Sequence, residues 1–418
     1  MSVRSTIQRL HSRGRFGELG LERMERLMAT LGQPQDAVPA VHVAGTNGKG
    51  STAAMVEAVW RAAGYRTGLY TSPHLVHWRE RIRVAGQEIS PRLLARHLET
   101  IEQALGAEQD PLTEFEAWTA VAFLHFRHRQ VQRAAIEVGL GGRLDATNVL
   151  HRPRAAAVVT IGLDHVERLG GTLGAIAGEK AGVAKAGVPL VLGWLPEEAR
   201  SVIMRRAVEA SAPLIVAGQD FTCSGEGASW QFDGLGRRVQ AALALNGAHQ
   251  AQNAAVATAL LLVSDPDLTT DQIGAGLAAA RWPGRTERVS VRPQVWLDGA
   301  KNPMGMEALR RHLDTVAPGR GVRLVFGCLD ERDPKALLAP LAERVEELML
   351  VPIHDPRGLS SAELVTAAQA VGLSGRLATV REAARFLLDT PDTQVGVGAG
   401  SFYLVGPLGR LMTSMQDS

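Results

Sequence analysis

The chain of 418 residues has little cysteine, few aromatic residues and almost no net charge. Cys223 and Cys328 are its only cysteines, far apart and without metal-ligand spacing, so they read as two reduced, structural thiols rather than a disulfide framework or a metal site. Lys plus Arg number 45 against 43 Asp plus Glu, and a net charge of +2 gives no reason to expect nucleic acid or an anionic membrane as partner. No apolar run is long enough to cross a bilayer, and the opening Met1–Leu10 lacks the apolar core of a signal peptide. There is no internal repeat or low-complexity segment. These absences lead to the expectation of a soluble, cytoplasmic protein.

What is present is an ordinary globular balance, 45% hydrophobic and 21% charged, in a chain too long for one core. Extended apolar runs alternate with helix-period segments from Val41 almost to the end, which predicts α/β architecture with mainly parallel sheets. Val41–Ala44, a helix over Lys49–Ala63 closed by Gly64, and a strand over Thr67–Thr71 read as one βαβ unit. Further strands are expected at Ala134–Val138, Ala155–Ile161, Val188–Gly193 and Pro213–Ala217, with helices over Glu116–Arg127 and Leu173–Ala186. Phe221–Leu245 carries the short alternations of antiparallel strands, and Gln252–Leu262 reads as an Ala-rich helix. Arg281–Arg285, with adjacent Pro and Gly, is the linker candidate. It divides residues 1–284 from a smaller, doubly wound domain at 285–418. There, strands are expected at Val295–Asp298, Val322–Phe326, Glu347–Ile353 and Gln394–Gly398. Helices should cover Met304–Val316, Pro334–Val345, Ser360–Val371 and Arg381–Leu388.

Gly45-Thr46-Asn47-Gly48-Lys49-Gly50-Ser51 sits between a strand and a helix. Glycines there turn backbone N–H groups onto phosphate, the helix N-terminus adds partial positive charge, and Lys49 can reach the terminal phosphates. The segment departs from a strict Walker A because Gly50 separates Lys49 from the hydroxyl of Ser51. Glu137 falls at the carboxyl end of a buried strand, where open α/β sheets bind ligands; it reads as a Mg²⁺ ligand or as a capping or salt-bridged glutamate. His165 follows the next strand and reads as a metal ligand or a structural histidine. Nothing in the local spacing singles out Lys180.

Together these segments resemble the folylpolyglutamate synthases of the Mur ligase superfamily. The resemblance rests on Gly45–Ser51, Thr71–Leu75, Arg79–Val84, Glu137–Asn148, Gly162–His165, Glu179–Gly182, Pro283–Arg285, Asp298–Ala300 and Gly400–Gly406. The phosphate loop is shared by Mur-type amide ligases at large, whereas Glu137–Asn148 is specific to the folate branch. The fold implied is a two-domain, Mur-ligase-like α/β architecture: an N-terminal P-loop ATPase domain with a mainly parallel sheet, and a C-terminal doubly wound domain.

The resemblance also implies roles. Thr46, Asn47, Gly48, Lys49, Gly50 and Ser51 would cradle ATP, and Asn253, Arg285, Asp298 and Lys301 would complete its site. Ser72 and Glu137 would hold one Mg²⁺ and His165 a second, helped by a CO₂-derived carbamate on Lys180. Lys49, Glu137, His165 and Lys180 would be the catalytic set. Thr113, Phe115, Glu116, Arg143, Leu144, Asp145 and the segment Glu18–Leu21 would surround the pterin-bearing substrate. The implied partners are small molecules (folate or dihydropteroate, L-glutamate, ATP) acting on a monomer. One position departs from the family: Lys301 stands where Asp-Gly-Ala-His-Asn-Pro is usual. The residues leave open whether glutamate is added to dihydropteroate, to folates or to both. Competing readings are a Mur-type ligase acting on a non-folate acid and a non-catalytic nucleotide-binding relative.

Overall fold

The computed structural model describes residues 20–106 and 112–416. By contacts the chain divides into two compact units. The first comprises residues up to His74, Trp78–Ala244 and Gln250–Arg281; the second comprises Leu75–His77, Leu245–His249 and Trp282 onward.

The first unit is built on an eight-stranded sheet. Its strands are β1 (Ala40–Ala44), β2 (Thr67–Tyr70), β3 (Ile82–Val84), β4 (Gln87–Glu88), β5 (Arg133–Glu137), β6 (Ala155–Val158), β7 (Leu190–Leu192) and β8 (Leu214–Val216), in the order β4-β3-β2-β5-β1-β6-β7-β8. All neighbours from β2 to β8 pair in parallel, and only the pairings β2–β3 and β3–β4 are antiparallel. Strands buried on both faces have no polar side to display, which is why β6 reads as an unbroken apolar run and β1 as one interrupted only by the buried His42. A separate antiparallel sheet, β9 (Phe221–Ser224), β10 (Trp230–Gly234) and β11 (Arg237–Ala241), forms where short alternations predicted one.

The second unit holds a six-stranded sheet of β12 (Glu287–Ser290), β13 (Val295–Asp298), β14 (Gly321–Phe326), β15 (Val345–Leu350), β16 (Gly375–Leu377) and β17 (Gln394–Ala399). The order is β12-β13-β17-β14-β15-β16, parallel except for β12. Two mixed, mostly parallel sheets are thus present, as the alternation of runs predicts.

Several local expectations need correction. β1, the helix Lys49–Ala62 and β2 are not a simple βαβ pair, because β5 lies between the two strands; hydrophobic runs carry no sheet order. The strand expected to reach Ile161 ends at Val158, since Thr160 turns away to bond the phosphate loop. The helix expected to reach Ala186 ends at Lys180, and Ala181–Val183 is a 3₁₀ turn. The helix expected over Pro334–Val345 closes at Leu338 and continues as a 3₁₀ turn over Ala339–Arg344, where Pro340 has no N–H to give. By contrast, the helix expected from Glu116 begins at Glu114, because Thr113 caps it.

Among the described residues no helix is long and apolar enough to cross a membrane. Cys223 and Cys328 are both free thiols, and burial pushes the Cys328 thiol up to about 12, so it stays protonated and inert.

Candidate active site

The phosphate loop hangs between two strands. Thr46 N–H donates to Thr160 O at 2.8 Å, and Asn47 N–H donates to Thr160 Oγ1 at 2.9 Å. The Thr46 hydroxyl donates to Gly162 O and accepts from Gly162 N–H, each at 3.1 Å. The N–H and the side chain of Thr46 together therefore staple the loop to the segment beyond β6. Gly48, at φ +79°, caps the helix Lys49–Ala62. A Cβ there would overlap Asn253 Oδ1 and lie 2.9 Å from Val159 Cγ1, so only glycine fits. Lys49 Nζ donates to Thr46 O at 3.3 Å, folding the ammonium over the loop. Gln250 Nε2 donates to Ser51 Oγ at 3.3 Å and Asn253 Nδ2 donates to Gln250 Oε1 at 3.0 Å, which ties the helix Ala248–Ser264 to the end of the loop. Gln250 was not among the expected site residues. Its spacing of three from Asn253 on one helix was the available signal.

The sheet topology gathers the other candidates. The chain leaves β1 for β2 on one side and passes from β6 to β7 on the other, so the carboxyl ends of β1 and β6 flank the switch point where such sheets bind ligands. Glu137 ends β5, and Ser72, the phosphate loop and His165 come just after β2, β1 and β6, the four strands being adjacent and parallel. Glu137 is buried, and its Oε2 accepts from Ser72 N–H at 2.9 Å. His165 adopts a left-handed backbone, φ +52°, and starts a short helix. Its ring lies 3.9 Å from Asp164 Oδ1 and 3.7 Å from Glu167 Oε1.

Lys180 comes from far along the chain to the same place. It is 4% exposed, and its Nζ donates to Gly45 O at 3.0 Å. The turn that carries it is zipped to the loop after β5. Arg143 N–H donates to Glu179 O at 2.9 Å, Arg143 Nη2 pairs with Glu179 Oε1 at 2.8 Å, and Asn148 Nδ2 donates to Arg143 O at 3.0 Å and Gly182 O at 3.1 Å. Gly182 lies against the Arg143 backbone, 2.7 Å from its nitrogen to a would-be Cβ, leaving no room for a side chain. The two sequence segments Glu137–Asn148 and Glu179–Gly182 are one packed unit.

Asp145 is the internal brace of that loop. Its Oδ2 accepts from Leu140 N–H at 2.8 Å, and its Oδ1 from Thr147 N–H at 3.0 Å and Thr147 Oγ1 at 2.5 Å. Burial raises its pKa, and those bonds work the other way, towards the charged form. Thr147 has one hydroxyl proton, spent on Asp145, so His42 Nε2 is the donor in its 2.7 Å contact with Thr147 Oγ1. Burial and the Lys185 charge push His42 down to about 3, which keeps its ring neutral.

Arg143 is exposed and Leu144 half-buried at the rim of the loop. Phe115 is half-buried, with its ring against Gly139 and 6.1 Å from the Tyr70 ring centroid. Thr113 and Glu116 form a capping box, and Arg23 Nε pairs with Glu116 Oε1 at 3.1 Å. Their polar atoms hold the start of the helix while Phe115 and Leu144 present apolar surface. In the segment Glu18–Leu21, Glu18 and Leu19 lie outside the described residues, and Gly20 and Leu21 lead into the helix Glu22–Thr30.

In the second unit, Asp298 ends β13 and is buried; its Oδ2 accepts from both Thr286 N–H and Thr286 Oγ1 at 2.7 Å. Arg285 lies over the Phe402 ring, 4.1 Å from its centroid. Lys301 is half-buried, immediately before Asn302, which caps the helix Pro303–Val316 by accepting from Gly305 N–H at 2.9 Å. Behind them His312 stands edge-on to Trp296 at 4.4 Å, and burial beside His249 pushes it down to about 4.

A strand–phosphate loop–helix, an acidic side chain at the neighbouring strand end and a second doubly wound unit are the parts of an ATP-dependent ligase. Family models agree: the Mur ligase middle domain matches residues 43–261, and the Mur ligase, glutamate ligase domain matches residues 284–400. The chain is 35% identical over 380 residues to a Bacillus subtilis dihydrofolate synthase/folylpolyglutamate synthase, covering 86% of this chain and 87% of that one. An Escherichia coli FolC solved in complex with DHPP and ADP superposes with TM-score 0.91 at 33% identity, covering 100% of this chain and 98% of the other. A bifunctional folylpolyglutamate synthase/dihydrofolate synthase solved with Mn, AMPPNP and L-glutamate gives TM-score 0.88 at 36% identity, covering 100% and 98%. The chain belongs to the folylpolyglutamate synthase/dihydrofolate synthase family of Mur ligases.

Proposed function

We propose that the enzyme uses ATP to join the amine of L-glutamate to the carboxyl group of a tetrahydrofolate, and that dihydropteroate is also an acceptor. The observation that carries the reading is the convergence of the phosphate loop, Glu137 and Lys180 at one switch point, beside a folate-branch loop that packs against the lysine's own turn. Residues 1–284 bind ATP and folate in this reading, and residues 285–418 form the glutamate-ligase domain. A cytoplasmic location and a monomeric state belong to the same proposal.

The chemistry follows from the reactants. A carboxylate is a poor acyl donor, so its oxygen attacks the γ-phosphorus, the bond to the β-phosphate oxygen breaks, and ADP leaves with that electron pair. The glutamate amine then attacks the acyl-phosphate carbonyl. Phosphate departs, the amine loses a proton, and an amide remains. Both partners are anionic, so Lys49 and the loop N–H groups neutralise and orient the transferring phosphoryl group.

The donor set fits Mg²⁺. Among the described residues no cluster of three or more His, Cys, Asp or Glu forms an all-protein cage. One buried carboxylate beside the Ser72 loop is the arrangement expected for a small, hard cation that keeps waters and takes nucleotide oxygens. Ser72 and Glu137 would hold one ion and His165 a second, with a carbamate on Lys180 helping to set the site; bound there, Mg²⁺ supplies charge neutralisation to the phosphates. Glu137→Gln should raise the Mg²⁺ concentration for half-maximal activity about tenfold while leaving the fold intact. An unchanged metal dependence would make Glu137 a structural residue.

Lys301 is assigned a charge-neutralising role. It stands half-buried directly before the Asn302 cap of the helix Pro303–Val316, where its charge would complement a bound triphosphate. Unlike a histidine, it carries its charge at any physiological pH.

The test is direct: incubate the enzyme with ATP, Mg²⁺ and glutamate, offer tetrahydrofolate and dihydropteroate separately, and weigh the products. Acceptors one glutamyl residue heavier are expected from both. Glutamate-dependent phosphate release with neither acceptor extended would point instead to a Mur-type ligase for another acid.

A further inference from the structure

Thr286 sits where a β-branched residue is rarely found. Its φ is +46°, in the left-handed region, and it is fully buried. Such strain persists only where surrounding bonds over-determine it. Here the N–H and Oγ1 of Thr286 both donate to one oxygen, Asp298 Oδ2, and Asn246 Nδ2 donates to Thr286 O at 3.3 Å.

The residue before it is Arg285, held over Phe402. The Phe402 ring covers Gly299, where a Cβ would lie 2.8 Å from Cζ, and Gly299 N–H donates to Gly284 O at 2.8 Å. Thr286, Asp298, Gly299, Phe402 and Arg285 therefore form a closed circuit of covalent and non-covalent links. Double donation from Thr286 fixes the rotation of the Asp298 carboxylate. The cation–π contact, Cζ 4.1 Å from the Phe402 centroid, holds the Arg285 guanidinium over that ring.

We propose that Thr286 and Phe402 are positioning residues: they hold Asp298 and Arg285 in the orientation that receives nucleotide. The inference rests on the reading that Arg285 and Asp298 contact ATP. Strain at Thr286 is what lets both of its donors reach one carboxylate oxygen, and the ring of Phe402 is the counterpart for the neighbouring cation.

Thr286→Val keeps the branched shape and removes the hydroxyl donor, Thr286→Ser keeps the donor, and Phe402→Leu keeps apolar volume without the ring. We expect Thr286→Val and Phe402→Leu each to raise the Kd for ADP and the KM for ATP by about tenfold, the size of one charge-assisted contact. The KM for the folate acceptor should stay unchanged, and Thr286→Ser should remain within about twofold of wild type. A general structural defect would move both KM values together. Where Thr286→Val also lowers Tm, Phe402→Leu, which leaves the strained backbone alone, decides. Arg285→Ala and Asp298→Ala separate the layers of the argument. If neither weakens ADP binding, the nucleotide reading fails. If both weaken it while Thr286→Val and Phe402→Leu bind ADP as wild type does, the positioning role alone is overturned.

Discussion

Lys49→Ala should lower the rate of ligation by about 10²–10³-fold, the usual cost of removing a preorganised charge partner of a transition state. The lysine is the first residue of its helix, directly after Gly48, so its side chain starts where the loop N–H groups and the helix dipole already converge. Its ammonium now rests on Thr46 O, a neutral carbonyl within the loop itself. A phosphate oxygen is a far stronger partner than a carbonyl, so nucleotide would draw the lysine across. Charge on the γ-phosphoryl oxygens and on the leaving bridge oxygen shifts during transfer, and in the proposed reaction the lysine would follow it without reorganising water. The loss should therefore appear mainly in kcat, with ADP affinity falling much less. Lys49→Arg should recover little, because a planar fork cannot take the place of a compact point charge folded onto the loop. Product formation near the wild-type rate by Lys49→Ala would remove the phosphate-loop assignment.

Much of this site could be read from the sequence, and for identifiable reasons. A glycine-rich turn between an apolar strand and a helix has few uses, so Gly45–Ser51 announced itself. A carboxylate ending a run as apolar as Ala134–Ile136 announced Glu137 in the same way. What could not be read was how side chains spend their hydrogen bonds. Nothing in spacing shows that Thr46 spends both its N–H and its hydroxyl inside the protein, on Thr160 and Gly162. Asp145 likewise braces its own loop from within. Sheet order was invisible too, because the insertion of β5 between β1 and β2 is decided by how long connections pack. Thr286 was hidden for a further reason: no propensity scale leads one to expect a threonine at positive φ.

Lys180 is the sharpest case, since local sequence gave it no distinction and the fold gives it a central place. Folding carries its Nζ across 135 residues of chain to Gly45 O, at the base of the phosphate loop. Its turn is locked by Gly182 against Arg143 and by Asn148 bridging both segments, so the side chain has one route in. An ammonium buried this deeply is costly to desolvate. The proposed carbamylation would remove that positive charge. The neutral amine would attack the carbon of CO₂, the N–C bond forming as a C–O π bond opens, and after loss of a proton the lysine would end in a carboxylate whose single negative charge is shared by two oxygens, donors suited to magnesium. Lys180→Ala should therefore cost at least about 10²-fold in turnover, and small carboxylic acids such as acetate or propionate should restore part of it by filling the space with an oxygen donor. Wild-type enzyme in buffers stripped of CO₂ should lose activity and regain it on adding bicarbonate, with ¹³C-bicarbonate giving a carbamate resonance that Lys180→Ala lacks. Activity indifferent to CO₂, together with a plain ammonium seen at Lys180 when nucleotide and magnesium are bound, would leave the lysine as a cationic strut for the loop.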